Sequence, residues 1–408
     1  MKILWVKAGG LVPPDTGGKI RSYNILRELA RKHSITFFSF YAAHENDSHG
    51  NLKQIFDNVV CVPLSLPAPK SGAEMLDYGI RLLSFKPYLI TKYCRAEVGH
   101  KLRSLLQQEA YDVIVCDFVS PAGVIPWDSP GPKVLFTHNV EAVIWQRHYE
   151  VATNPLWKAI SWWEWRKTAA AEQRYLRLAD RVLTVSETDR DTFATFLDAR
   201  KITVIPTGVD VDYFQPLPTE EIADSLVFTG SMDWLPNEDA IFYFVEAILP
   251  LIKQQHPSVS LKVVGRNPSR KLRGLLETEK SMHLTGWVED IRPFLAQGSV
   301  CIVPLRIGGG TRLKIFEAMA MARAVVSTAV GAEGLPVQTG QNILLADTPA
   351  DFATSVVSLL RDSSLRRRLG TAARRLVLEN YSWCKVAESF SGVLQDVLAG
   401  CGKMDSAT

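Results

Sequence analysis

Residues 300–321 read VCIVPLRIGGGTRLKIFEAMAM, and the order of residue types in this stretch decides the fold class. The apolar, β-branched run from Val300 to Leu305 has the character of a buried strand; Gly308, Gly309 and Gly310 follow, and Leu313, Phe316 and Ala320 then recur at helical spacing. A strand, a glycine loop and a helix make half of a βαβ crossover. The glycines let the backbone approach a ligand, and the N–H groups at Thr311 and Arg312 open a helix whose dipole favours an anion. Arg312 and Lys314 place cations where that dipole disfavours them, a pattern that a phosphate would offset. Lys314 and Glu317 share a helix face, so a carboxylate lies one turn beyond the phosphate position, where it can accept two hydrogen bonds from a vicinal diol such as ribose. As a plain surface ion pair, the same two residues would be worth about a few tenths of a kcal/mol.

Outward from this unit the same alternation fills the chain. Strands are expected at Lys2 to Val6, Ile35 to Phe40, Val59 to Pro63, Val113 to Asp117, Val134 to His138, Val182 to Ser186 and Thr203 to Pro206. A second series follows at Leu226 to Thr229, Leu261 to Val264, His283 to Gly286, Val300 to Leu305, Ala324 to Ser327 and Ile343 to Leu345. Helical patterns such as Ile20 to Lys32 and Leu102 to Gln108 lie between them. The fold class is therefore α/β, with two doubly wound, Rossmann-like domains, and 408 residues is a length that two cores of roughly 200 residues accommodate. Prolines, a glycine and several aspartates from Pro206 to Pro218 interrupt both periodicities. The expected organisation is a first domain over 1–205, a linker over 206–224, a second domain over 225–380, a helix over 381–400 packing back on the first domain, and a disordered tail over 401–408. A cleft between the domains, closing about the linker, is the expected place for ligand, since open α/β sheets bind at the carboxyl ends of their strands.

Composition narrows the function. The chain is 47% apolar and 22% charged, with no apolar run of the ~18 residues that a spanning helix needs. Lys7 and Gly9-Gly10 cut short the apolar start, which therefore belongs to a first strand and not to a signal peptide. A net charge of +3 gives no case for nucleic acid. Six cysteines without a CxxC pair fit free thiols in a reducing cytoplasm, and no metal site is expected. Trp157 to Arg177 mixes four tryptophans with lysine and arginine on a helical segment, a candidate for peripheral contact with the inner face of a membrane; the competing reading is a crossover helix that buries its indoles against the sheet.

The run GTRLKIFEAMA followed by AVVSTAVGAEGL resembles the donor-site signature of the family 4 GT-B glycosyltransferases, and the likeness extends over nearly the whole chain. The resemblance implies a retaining enzyme that moves a sugar from a nucleotide-diphosphate donor, a UDP- or GDP-sugar, to a glycan, lipid-linked or other hydroxyl acceptor, without cofactor or metal, in polysaccharide or envelope glycan synthesis. It implies that Glu317 holds the donor ribose while Arg312 and Lys314 meet the diphosphate. The family commonly carries a glutamate where this chain has Gly309, so the N–H groups of Gly309 and Gly310 would stand in for that carboxylate, and Thr311 and Leu313 are further expected donor-binding residues.

Other stretches extend the likeness. In FTGSMDWLPNEDA, Gly230 ends a strand; many relatives follow it with an arginine and a lysine, whereas Ser231 and Asn237 stand here. VVGRNPS and HLTGWVEDI bring Arg266 and Val288 to the expected nucleotide-base position. From the first domain, PPDTGGK carries Gly17 and Gly18 toward phosphate or the transferred sugar, and FTHNVEA carries His138, which resembles the family histidine near donor sugar and acceptor. Read without the family, Gly230 and Pro236-Asn237 are turn residues and His138 is a structural strand-end histidine. Ser186 with Asp189 three residues on reads as a helix cap. The competing functions are a GT-B sugar-nucleotide epimerase, which needs no acceptor, and a nucleotide-binding module without catalysis. A hydride-transferring dehydrogenase lacks its GxGxxG after strand one.

Overall fold

The computed structural model describes residues 1–42, 51–68, 71–307 and 313–405. The chain divides into two compact units, Met1–Pro206 with Val386–Thr408, and Thr207–Lys385. The first contains β1 (Lys2–Ala8), α1 (Gly17–Leu29), β2 (Ser34–Ala42), β3 (Asn58–Leu64), α2 (Gly72–Leu82), α3 (Tyr88–Thr91), α4 (Ala96–Gln108), β4 (Val113–Asp117), β5 (Lys133–Phe136), α5 (Glu141–Val151), α6 (Pro155–Leu178), β6 (Arg181–Thr184), α7 (Glu187–Ala194) and β7 (Ile202–Val204). The second contains β8 (Ile222–Thr229), α8 (Leu235–Tyr243), α9 (Leu249–Lys253), β9 (Ser260–Val264), α10 (Arg270–Thr278), β10 (Met282–Leu284), α11 (Arg292–Gln297), β11 (Gly298–Val303), α12 (Leu313–Ala320), β12 (Val325–Ser327), β13 (Leu344–Leu345), α13 (Pro349–Arg361) and α14 (Ser363–Asn380). A last helix, α15 (Trp383–Asp405), starts at the end of the second unit and continues into the first.

Each unit is built on one parallel sheet. The first has seven strands in the order β3-β2-β1-β4-β5-β6-β7 and the second six in the order β10-β9-β8-β11-β12-β13. Strands such as β4 and β11 are buried along their whole length, because helices cover both faces of a parallel sheet. Strand order reverses between β1 and β4 in one sheet and between β8 and β11 in the other, and open α/β sheets bind ligands at the carboxyl ends beside such a reversal. The α15 side chain Phe390 packs on Trp5 and Phe136 under the first sheet, with ring centroids 5.4 and 5.2 Å apart. In the second unit the segment after Pro206 is pinned by a bridge between Val209 and Ser382, and a Cβ on Gly208 would lie 2.6 Å from the Trp383 ring.

Local sequence explains the element ends. Ser186 Oγ accepts from Asp189 N–H at 3.1 Å, the cap expected for α7. α1 opens at Gly17, ahead of the apolar periodicity that begins at Ile20. β5 stops at Phe136, two residues before the expected strand end at His138. α15 runs past Gly400 to Asp405, and residues 406–408 of the expected tail lie outside the described residues.

Candidate functional site

In the second unit the switch point between β8 and β11 gathers the polar residues. Gly230 follows β8 with φ of +154°, a conformation that L side chains rarely adopt, and a Cβ there would lie 2.7 Å from Asn237 Nδ2 and 2.8 Å from Lys314 Nζ. Backbone and space both require glycine at this point. Asn237, buried in the first turn of α8, donates through Nδ2 to the Ser231 carbonyl at 2.8 Å and accepts from Lys314 Nζ at 2.7 Å. The ammonium of Lys314 also stands 4.0 Å above the centre of the Phe228 ring, so a carbonyl dipole and an aromatic face hold it at the mouth of the β8 loop. Asn237, a turn residue on the first reading of the sequence, thus helps to position the lysine.

Glu317 lies three residues further along α12 and is partly buried. Burial pushes its carboxyl up to about 7, against the opposing pull of Lys314. Among the described residues its carboxyl oxygens accept no hydrogen bond. Leu313 opens α12 and is half-buried. Gly309, Gly310, Thr311 and Arg312 lie outside the described residues.

The neighbouring strand ends are tied into the same rim. Gly230 N–H donates to Val264 at 3.0 Å and Met232 N–H to Arg266 O at 2.9 Å, while Arg266 Nε donates to Ser231 Oγ at 3.1 Å. A Cβ on Gly265 would meet Gly230 O at 1.7 Å, so these two loops touch through bare backbone. Gly265 bridges Gly286 in turn, Trp287 stands 72% exposed at the end of β10, and Val288 packs against the core. Gly230, Arg266, Lys314 and Glu317 therefore belong to one end of one sheet. Arg306, the cation that precedes the glycine loop, is paired with Asp239 at 2.6 Å.

In the first unit the switch point holds a buried charge cluster that the sequence reading largely missed. Asp117, the last residue of β4, is fully buried; its Oδ2 accepts from Lys7 Nζ at 3.0 Å, Ser22 Oγ at 2.7 Å and Trp5 Nε1 at 2.9 Å. Burial alone would raise this carboxyl, but Lys7 and His138 beside it, with the His138 and Ser22 hydrogen bonds, hold it well below the carboxylate range. His138 is 1% exposed, with Nε2 2.8 Å from Asp117 Oδ1 and Nδ1 2.9 Å from Arg21 Nη1. Since guanidinium only donates, Nδ1 accepts and Nε2–H donates to the aspartate. Burial drives the imidazole down to about 3 despite Asp117, so the ring is neutral, and burial lowers Arg21 to about 10.

Both ring nitrogens of His138 are thus used within the protein. The ring also stacks on Phe118 at 3.8 Å and 9°, and Phe118 sits at φ of +74°, a strained conformation for an aromatic residue. A Cβ on Gly18 would lie 2.7 Å from Phe118 Cζ, so His138 and Phe118 together form the wall against which the Gly17-Gly18 turn rests. Charged residues at the ends of adjacent strands, Lys7 and Asp117, were the available sequence signal for this cluster.

The comparisons with known proteins agree with this architecture. A family model described as Glycosyltransferase Family 4 matches residues 16–213, and one described as Glycosyl transferases group 1 matches residues 223–362. The MMP alpha-(1->4)-mannosyltransferase of Mycolicibacterium hassiacum is 28% identical over 279 residues, covering 66% of this chain and 66% of that protein. Sucrose-phosphate synthase from Thermosynechococcus elongatus superposes with a TM-score of 0.72 at 17% identity, covering 98% of this chain and 100% of that one. Anabaena HepE in complex with UDP gives 0.67 at 15% identity, covering 97% and 100%. The same Anabaena protein has also been solved with UDP-glucose.

Proposed function

We propose that this chain, which belongs to the GT-B glycosyltransferases of the family 4 type, transfers a sugar with retention of anomeric configuration from a UDP- or GDP-sugar to a glycan or lipid-linked hydroxyl. The observation that carries the donor half of this reading is the convergence of Gly230, Asn237 and Lys314 beside a partly buried Glu317 whose carboxyl accepts no hydrogen bond among the described residues. Glu317 accepts hydrogen bonds from the two ribose hydroxyls, and Lys314 moves from Asn237 toward the diphosphate, where its charge is worth more. Gly309, Gly310, Thr311 and Arg312 supply backbone donors and a second cation to the same diphosphate, with no metal needed. The base rests near Arg266 and Val288.

The chemistry follows from charge development. As the bond from the anomeric carbon to the diphosphate oxygen breaks, negative charge grows on the leaving oxygen and positive charge on the sugar ring. Lys314 and the loop donors stabilise the first. The acceptor oxygen forms the new bond on the same face, and its proton passes to the departing phosphate, so atoms and charge balance without a side-chain base. His138 acts as a positioning residue, through Phe118, on the Gly17-Gly18 turn. Polysaccharide or envelope glycan synthesis is the setting that the lipid-linked or glycan acceptor suits, at the cytoplasmic side of a membrane.

A thermal-shift screen of nucleoside diphosphates and their sugar conjugates tests the reading, since a ligand that binds the native state raises its melting temperature with occupancy. UDP or GDP, with one of its sugars, should stabilise the wild type and not Lys314→Ala. Equal stabilisation of both proteins by the same nucleotide would remove the site from the account.

A further inference from the structure

α2 is amphipathic in the reverse of the usual sense. Its polar side chains face the protein: Glu74 pairs with Lys92 at 2.9 Å, Asp77 with Arg81 at 2.8 Å, Arg81 donates to the Thr91 carbonyl at 2.7 Å, and Tyr88 Oη donates to Asp77 at 3.3 Å. Its apolar stripe faces outward. Met75, Leu76 and Ile80 on the helix and Leu83 and Phe85 just beyond it are 66% to 86% exposed, and no residue of α2 is buried. Single exposed apolar residues are ordinary, whereas a contiguous stripe of large ones marks an interaction surface.

The surroundings of the stripe say what it meets. α6 anchors the C-terminal end of α2, with Trp163 Nε1 donating to the Leu82 carbonyl at 2.9 Å and the Phe85 ring edge-on to Trp163 at 6.4 Å. On α6 the acids Glu164 and Glu172 are buried, and every exposed charge is basic: Lys158, Arg166, Arg174 and Arg177. Trp157 and Trp162 are about half exposed on the same helix, while Trp163 and Trp165 turn inward, the latter onto Tyr149. Lys86, exposed beside Phe85, adds another cation. The acids on α2 itself are matched by Lys92 and Arg81.

We propose that α2, Leu83 and Phe85 form an apolar face that inserts into the headgroup region of an anionic lipid bilayer, with Trp157, Trp162 and the cations of α6 and Lys86 against the lipid phosphates. An outward apolar stripe, indoles at its margin and the exposed cations of α6 and Lys86 match the layers of such a surface in order of depth. No described helix is long and apolar enough to cross the membrane, so this contact lies in the interface plane. The segment from Trp157 to Arg177 contributes the rim, and α2 contributes the inserted face. This goes beyond the transfer reaction and uses none of the donor-site residues.

Co-sedimentation of the full chain with phosphatidylcholine vesicles, with and without phosphatidylglycerol, tests it. The wild type should bind the anionic vesicles and be released by salt, and Ile80→Glu/Leu83→Glu should lower partitioning about a hundredfold or more. Lys158→Glu/Arg166→Glu should abolish the preference for anionic over neutral lipid. Because all four side chains are exposed, melting temperature and nucleotide binding should stay at wild-type values, and Leu83→Ser/Phe85→Ser gives a milder second variant of the inserted face. Wild-type protein that ignores anionic vesicles, or apolar-face variants that bind them unchanged, would overturn the proposal. So would a dimer in sedimentation velocity that Ile80→Glu/Leu83→Glu dissolves, since the face would then belong to a second copy of the chain.

Discussion

Replacing Glu317 by glutamine should make the protein more stable and less able to hold its donor, and both effects can be sized from the structure. Burial raises the carboxyl from 4.5 to about 7. Below pH ~4.5 the group carries its proton in both folded and unfolded chains and has no effect on stability. Between there and about 7 the folded chain keeps a proton that the unfolded chain has lost, so stability falls as pH rises through that window, and the full cost stands above it. At about 1.4 kcal/mol per pH unit the cost is at most about 3.5 kcal/mol, and the solvent-facing part of the side chain screens some of it. Glutamine keeps the volume and removes the charge. Calorimetric melting should show Glu317→Gln matching wild type near pH 4.5 and exceeding it by about 5 °C at pH 8. The charge-assisted bonds to ribose weaken at the same time, so UDP or GDP should bind about tenfold to a hundredfold more weakly at pH 8 by isothermal titration. An unchanged or lowered melting temperature at pH 8, with unchanged nucleotide affinity, would refute both the burial argument and the ribose contact.

Further outcomes follow from the same geometry. Gly230→Ala should force the φ of +154° and crowd Lys314 off Asn237, costing about 1–3 kcal/mol in a denaturant titration and at least about tenfold in nucleotide affinity. Asp117→Asn leaves Lys7 buried without its counter-charge, so a loss of about 3–5 kcal/mol is expected in the first unit, read as a lower denaturation midpoint; with the donor site proposed in the second unit, nucleotide affinity should not change. On the proposed site, where Lys314 and Arg312 supply the positive charge, transfer measured with excess EDTA should run at the rate seen without it, and a chelator-sensitive rate restored by a divalent ion would give the diphosphate a metal partner instead.

Much of the architecture was legible because parallel strands buried on both faces appear as short, continuous apolar runs. Val113 to Asp117 matches β4 residue for residue, and every expected run overlaps a strand. Strand ends were less legible. Val134 to His138 looks uninterrupted, yet β5 ends at Phe136 because His138 is drawn to Asp117 and Arg21, partners 21 and 117 residues away that no local window contains. The same distance in sequence hid Lys7, Ser22 and Arg21 as members of one cluster. Lys314 and Glu317 were visible as a pair on one helix face, but Asn237 was not visible as the lysine's acceptor, because that contact spans 77 residues. α2 escaped notice for a different reason: periodicity reveals that a helix has an apolar side, not whether that side meets the core or the solvent.

A crystal structure with UDP or GDP bound tests the donor site most directly. The expected result has both ribose hydroxyls within hydrogen-bonding distance of the Glu317 carboxylate and a diphosphate oxygen on Lys314 Nζ, beside Gly230. A nucleotide lodged elsewhere, or one whose ribose turns away from Glu317 while Lys314 stays on Asn237, would contradict it.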